Sequence, residues 1–105
     1  MAAVEVEYRP DERRFVATVD GSDVGAFIEV AQGTSVWTLV HTQVPASLAG
    51  AGVGSQLVKG ALAHARSVGV SVVPRCPFVA AYIKRHPQEL DLVPERYRYL
   101  VEEDD

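Results

Sequence analysis

Residues 41–58, HTQVPASLAGAGVGSQLV, separate a strand-like pattern from a helical one. An alternating apolar and polar run ends at His41 and Thr42, and the loop that follows holds three glycines within five positions. A long amphipathic segment begins directly after the loop. A helix start offers unpaired N–H groups and a partial positive charge, and glycines let the backbone curl around an anion. We therefore expect residues 50–55 to bind a phosphate or pyrophosphate group.

The segments on either side of this loop predict an α/β (α+β) fold. Four period-2 runs with short connections, near residues 3–9, 14–20, 24–31 and 35–42, predict an antiparallel meander. Downstream, helical spacing predicts a helix over residues 52–68 that ends at Gly69. Residues 70–73 predict a fifth strand, and because it comes directly after a helix we expect it to run parallel to the fourth, as a right-handed crossover would place it. Pro77 begins a second helix, with Phe78 and Tyr82 on its apolar side, that ends near His86.

Composition limits the organisation and the partners. The 105 residues suit one domain, assigned to residues 1–98, and residues 99–105 read as an acidic tail. The net charge of −4 without a basic stripe argues against nucleic-acid binding. One cysteine cannot form an internal disulfide, and no Cys/His cluster has the spacing of a metal site. Since no signal peptide or membrane span is evident, we expect a cytoplasmic protein that does not enter the membrane.

Two common phosphate-binding motifs do not fit the loop. A P-loop needs a lysine directly before its Ser or Thr, but Gly54 precedes Ser55. The dinucleotide motif Gly-x-Gly-x-x-Gly would need a glycine at Ser55 or at Leu57. A different ligand is therefore indicated.

Three motifs together resemble a known family. Residues 49–54 are similar to the acyl-CoA pyrophosphate loop of the GCN5-related N-acetyltransferases, Gln/Arg-x-x-Gly-x-Gly/Ala, with Ala49 at the first position. The short, single-domain members of that family also share His-Thr-x-Val-Pro, matched by residues 41–45, and a Cys-Pro-Phe motif that runs to His-Pro, matched by residues 76–87. The resemblance extends over about residues 10–93.

The resemblance implies a minimal version of that fold, with acetyl-CoA as co-substrate and a primary amine, on a small molecule or a protein, as acceptor. The ligand would lie between the fourth and fifth strands. Its pantetheine arm would follow the main chain of His41, Thr42 and Val44. Its pyrophosphate would bind the loop residues, which are Gly50, Ala51, Gly52, Val53, Gly54 and Ser55.

Three side chains are candidates for the chemistry. Cys76 lies at the predicted start of the second helix beside Arg75, and both features favour a thiolate that could accept an acetyl group; a buried structural cysteine is the alternative. The resemblance makes Tyr82 a candidate general acid, although it could equally belong to the core. His41 is a candidate base for the amine, or a structural residue that pairs with the loop.

Three functions follow from these residues. The first is an acetyl-CoA-dependent N-acetyltransferase, with transfer through Cys76. The second is a non-catalytic acyl-CoA-binding module, which stays open because the CoA-binding motifs account for most of the chain. A thiol redox protein is a third alternative, but Cys76 has no second cysteine to resolve it.

Overall fold

The protein is built around one five-stranded sheet. The computed structural model describes residues 3–102 of the chain. The strands lie side by side in chain order: β1 (Val4–Arg9), β2 (Arg14–Val19), β3 (Ser22–Gln32), β4 (Val36–Gln43) and β5 (Ser71–Pro74). The first four are antiparallel neighbours, and β5 pairs with β4 in parallel. The predicted meander and its parallel fifth strand are confirmed.

Helix α1 (Val53–Val68) connects β4 to β5 and packs on one face of the sheet. Its apolar positions form one stripe, and the buried members are Val53, Leu57, Val58, Ala61, Leu62 and Ala65. The helix ends at Gly69 in the left-handed conformation (φ 77°), as predicted from the glycine. Helical spacing also predicts Val68 on this stripe, but its side chain is 49% exposed in the last turn of the helix.

Close contact between α1 and the sheet depends on a glycine inside the helix. A Cβ at Gly60 would lie 2.5 Å from the Cβ of Val6 on β1. Real side chains do not approach so closely, so any larger residue at position 60 would push α1 away from β1. This close approach explains a helix-interior glycine that would otherwise only reduce helix propensity.

The turn between β2 and β3 is tighter than predicted. The sequence assigns residues 20–23 to this turn and starts the third strand at Val24. In the structure Val19 pairs with Ser22, and only Asp20 (φ 53°) and Gly21 (φ 80°) lie between the strands. Asp-Gly with two positive φ angles is the preferred two-residue hairpin turn, because its twist matches that of the strands.

The remaining elements pack with α1 into one core. Helix α2 (Pro77–Arg85) follows β5, then two 3₁₀ turns (Pro87–Leu92 and Glu95–Tyr97) lead to the short helix α3 (Tyr99–Glu102). Arg66 of α1 forms ion pairs at 2.8 Å with Glu89 and with Asp91 of the first 3₁₀ turn.

The predicted acidic tail needs a correction at its start. Residue 99 was its first residue, but Tyr99–Glu102 is helical and Val101 is buried in the core. The apolar side chain of Val101 ties this segment to the domain. Residues 103–105 lie outside the described part of the chain.

Neither a membrane span nor a metal cluster is found in the described residues. Between residues 3 and 102, no helix combines the length and hydrophobicity that a bilayer crossing needs. The same residues contain no group of three His, Cys, Asp or Glu side chains placed to hold a metal ion.

Candidate active site

The backbone conformation of the loop requires glycine at two of its three glycine positions. Gly50 (φ 85°) and Gly52 (φ 83°) both adopt the left-handed conformation that side chains disfavour. Gly52 is the N-cap of α1, and no side chain caps the helix start. The first turn of α1 also lacks acidic residues. The helix start therefore keeps its N–H groups and its positive potential available for an anion.

The third glycine serves a close contact. A Cβ at Gly54 would lie 2.5 Å from Cζ of Phe78, so the ring of Phe78 rests directly on the first turn of α1. Phe78 is 40% exposed although it is large and apolar. Its ring is therefore a wall of the space in front of the loop rather than part of the core.

A cavity of about 370 Å³ opens in front of the loop. Its lining is mostly apolar and includes Val44, Leu48, Gly50, Gly52, Ser55 and Phe78. It thus combines an apolar channel with a helix start at one end. A ligand with a flexible, weakly polar arm and a phosphate group fits this combination.

Strands β4 and β5 separate beside this cavity. Their pairing ends at Leu39 and Pro74, and the Cys76 N–H still donates to the Leu39 carbonyl at 3.0 Å. Beyond this point β4 continues to Gln43, whereas the chain after Cys76 turns into α2. The separation forms a wedge between β4 and the start of α2, with Cys76 at its closed end.

A bulge in β4 determines which residues face the wedge. Leu39 pairs with Val30 and His41 pairs with Glu29, so Val40 is an extra residue on β4. Simple alternation from Leu39 would place His41 on the α1 face of the sheet. The bulge places His41 on the opposite face, where the centroid of its ring lies 6.4 Å from that of Phe27. Thr42 then turns to the α1 face, together with its partner Ile28.

Cys76 is held at the end of the wedge by Thr42. It is the N-cap of α2, with Pro77 in the first helical position, and it is 5% exposed. Its thiol donates a hydrogen bond to Oγ1 of Thr42 across the gap, at 3.2 Å. The guanidinium of Arg75 lies over the ring of Tyr97, 5.8 Å from its centroid. The partner of the thiol is therefore a hydroxyl on β4, which can accept from a thiol or donate to a thiolate.

The charged face near His41 lies on the other side of the sheet. The guanidinium carbon of Arg14 lies 3.9 Å from the ring centroid of Phe27, and a guanidinium nitrogen of Arg14 lies 3.6 Å from a carboxylate oxygen of Glu29. His41 itself is exposed. Cys76 and His41 thus approach the bulge from opposite faces, so the structure brings them to the same region without direct contact.

Tyr82 lies one helical turn beyond Phe78, away from Thr42. Its ring is buried and stacks on that of His86 at 4.0 Å. Burial, and to a lesser extent the charge of Glu89, raises the pKa of the Tyr82 phenol. The phenol is therefore protonated at neutral pH. Its ring lines a separate cavity between α1 and α2.

Three features of the site were missed in the sequence. The side chain of Thr42 was not expected to contact Cys76, because the two residues are 34 positions apart. Phe78 was expected to pack in the core, and no local pattern distinguishes a core position from a cavity wall. The bulge at Val40 has no glycine to mark it. The polar run His41-Thr42-Gln43 after Val40 is a weak signal that the alternation changes there.

A comparison with known families adds to this geometry. A family model described as GCN5-related N-acetyl-transferase matches residues 14–92. The match begins at β2 and ends in the first 3₁₀ turn after α2. It therefore contains the glycine loop, the wedge and Cys76.

Proposed function

Because this chain belongs to the GCN5-related N-acetyltransferase family, we propose that it transfers an acetyl group from acetyl-CoA to a primary amine, with Cys76 as the acetyl carrier. The observation that carries the proposal is the thiol of Cys76 at the closed end of the wedge, 3.2 Å from Thr42. Family membership supports acetyltransferase chemistry in general. The donor, the acceptor and the carrier are our proposal.

The donor site is the apolar cavity and the glycine loop. The start of α1 offers backbone N–H groups to the pyrophosphate, and no carboxylate in its first turn opposes the anion. Val44, Leu48 and Phe78 provide apolar walls for the pantetheine arm. The thioester would then lie between β4 and the start of α2, where Cys76 and Thr42 meet.

The transfer through Cys76 is a thioester exchange. The sulfur of Cys76 attacks the acetyl carbon, the bond from carbon to the CoA sulfur breaks, and the thiol proton passes to the leaving CoA sulfur. An amine then attacks the Cys76 thioester, a C–N bond forms, and the bond from the acetyl carbon to the Cys76 sulfur breaks. The nitrogen loses one proton and the Cys76 sulfur gains one, which restores the thiol. The first step is nearly balanced in energy because one thioester replaces another, so proximity is its main requirement.

His41 and Tyr82 have distinct proposed roles. His41 is exposed on the sheet face opposite α1, where an amine can arrive without crossing the donor cavity, and it would take the ammonium proton. Tyr82 stays protonated because burial raises its pKa. It lines the separate cavity between α1 and α2, away from Thr42 and Cys76, so we propose that Tyr82 is a core residue that takes no part in the transfer.

Mass spectrometry after incubation with acetyl-CoA tests the proposal. We expect one added acetyl group on Cys76, lost with hydroxylamine, and free CoA in the presence of a panel of primary amines. Cys76→Ser should bind CoA with unchanged affinity but transfer poorly, because a serine hydroxyl is not ionised at neutral pH. Thr42→Ser, which keeps the hydroxyl beside the thiol, is the matched control and should retain acetylation.

Two outcomes would change the assignment. Full transferase activity in Cys76→Ser would show that the amine attacks acetyl-CoA directly, and His41 would then be the remaining candidate for proton transfer. Tight CoA binding with no turnover for any amine, and no acetyl group on Cys76, would favour the non-catalytic acyl-CoA-binding module.

A further inference from the structure

A second cavity of about 350 Å³ lies between α1, the end of α2 and the 3₁₀ turn that follows. Residues from all three elements line it, among them Ser55, Lys59, Tyr82, Arg85, His86 and Glu89. Unlike the donor cavity, this one is mainly polar. It contains two permanently charged cations, Lys59 and Arg85, both exposed.

This second cavity continues from the glycine loop. Ser55 lines both cavities, so a ligand that leaves the loop along α1 enters the second one. Ser55 and Lys59 are four residues apart in α1 and lie on the same side of it, about 6 Å apart along the axis. An anion at the helix start and an anion at Lys59 would therefore be separated by about one helical turn.

The charges of the second cavity favour an anion. Within residues 3–102, neither Lys59 nor Arg85 has an ion-pair partner, whereas the carboxylate of Glu89 already accepts from Arg66 at 2.8 Å. The Nδ1 of His86 donates to the carbonyl oxygen of Tyr82 at 2.8 Å, which fixes the ring at the cavity wall. Two cations, Lys59 and Arg85, outnumber the single carboxylate of this lining, Glu89, so the lining carries a net positive charge.

We propose that Lys59 and Arg85 bind the ribose 3′-phosphate of the acyl-CoA donor in this second cavity. The inference rests on the proposed function, in which the glycine loop binds the pyrophosphate. CoA carries its pyrophosphate on the 5′ oxygen of a ribose and a phosphate monoester on the 3′ oxygen. One sugar ring thus separates the two groups, which matches two anion sites one helical turn apart on α1. The chain would select CoA over pantetheine carriers without the 3′-phosphate.

Calorimetric titration with CoA and with 3′-dephospho-CoA tests the inference. Wild-type protein should bind CoA about 10- to 100-fold more tightly, as expected for charge-assisted hydrogen bonds to a phosphate. In Lys59→Gln and Arg85→Gln this preference should shrink about tenfold each, while the affinity for 3′-dephospho-CoA stays within about twofold. Both side chains are exposed, so the variants should fold, and thermal denaturation checks that they do.

The controls separate this site from general charge effects and from the donor site. Arg96→Gln removes an exposed cation whose guanidinium lies over Tyr97, and it should leave the CoA preference unchanged. Inorganic phosphate should compete with CoA in the wild type more strongly than in Lys59→Gln. Equal affinity of the wild type for the two nucleotides would overturn the 3′-phosphate site alone. Failure of both nucleotides to bind would instead overturn the proposed function.

Discussion

Replacing Gly52 by valine should separate the conformational role of the loop from its role in binding. Gly52 is the N-cap of α1 with φ 83°, and no atom lies within 4 Å of the Cβ position. The new side chain would therefore not clash with the protein itself. It would occupy the space in front of the helix start, where we place the pyrophosphate.

The expected losses follow from these two effects. A non-glycine residue in the left-handed conformation costs about 1–2 kcal/mol of stability, which a domain of typical stability tolerates. Loss of one backbone hydrogen bond to the charged phosphate costs about 1.5–3 kcal/mol of binding free energy. That loss corresponds to a rise of about 10- to 150-fold in the Kd for CoA.

Gly21→Val is the matched control. Gly21 has nearly the same backbone conformation, φ 80°, and equally open space around its Cβ position, but it lies in the β2–β3 hairpin. Both variants should lose stability by similar amounts in thermal denaturation. Only Gly52→Val should lose CoA affinity in calorimetry. Unchanged CoA affinity in a folded Gly52→Val protein would refute the anion site at the start of α1.

Two further predictions concern stability. Gly60→Ala should destabilise the protein despite the better helix propensity of alanine, by about 1–3 kcal/mol, because its Cβ would collide with the Cβ of Val6. Adding Val6→Gly removes that Cβ, so the double variant should lose less stability in urea denaturation than the sum of the two single changes, and a simple gain in stability from Gly60→Ala would contradict the close packing. Burial raises the pKa of Tyr82 above its ordinary value of 10.0, so the unfolded chain loses the phenol proton first and stability should fall as pH rises above about 10. Tyr82→Phe should reduce this alkaline loss, and an identical pH profile of melting temperature in the two proteins would show that the phenol does not contribute.

The sequence predicted those parts of the fold that depend on local patterns. The stripe of α1 from Val53 to Ala65 follows from helical periodicity, and its end follows from Gly69. The alternation of β1 to β4 was equally clear, and so was the parallel β5 after a helix. The two-residue turn at Asp20-Gly21 also follows from the sequence, because Asp-Gly is a preferred dipeptide for a two-residue hairpin turn.

The parts of the site that escaped prediction depend on contacts between distant segments. Thr42 meets Cys76 only because a bulge shifts the alternation of β4 at Val40, and no glycine in the sequence marks that bulge. The second cavity is likewise formed by Lys59 and Arg85 from different helices. The sequence identified the glycine loop, but only the packing of α1 against α2 shows which glycine contacts Phe78.

The contact between Gly54 and Phe78 has a consequence for how this protein can change during evolution. Any side chain at position 54 would force the ring of Phe78, which lines the cavity in front of the loop, out of its place. The two positions are therefore not free to vary independently. An ancestor that acquired alanine or serine at position 54 would have kept the present cavity wall only if a smaller side chain replaced the aromatic ring at position 78.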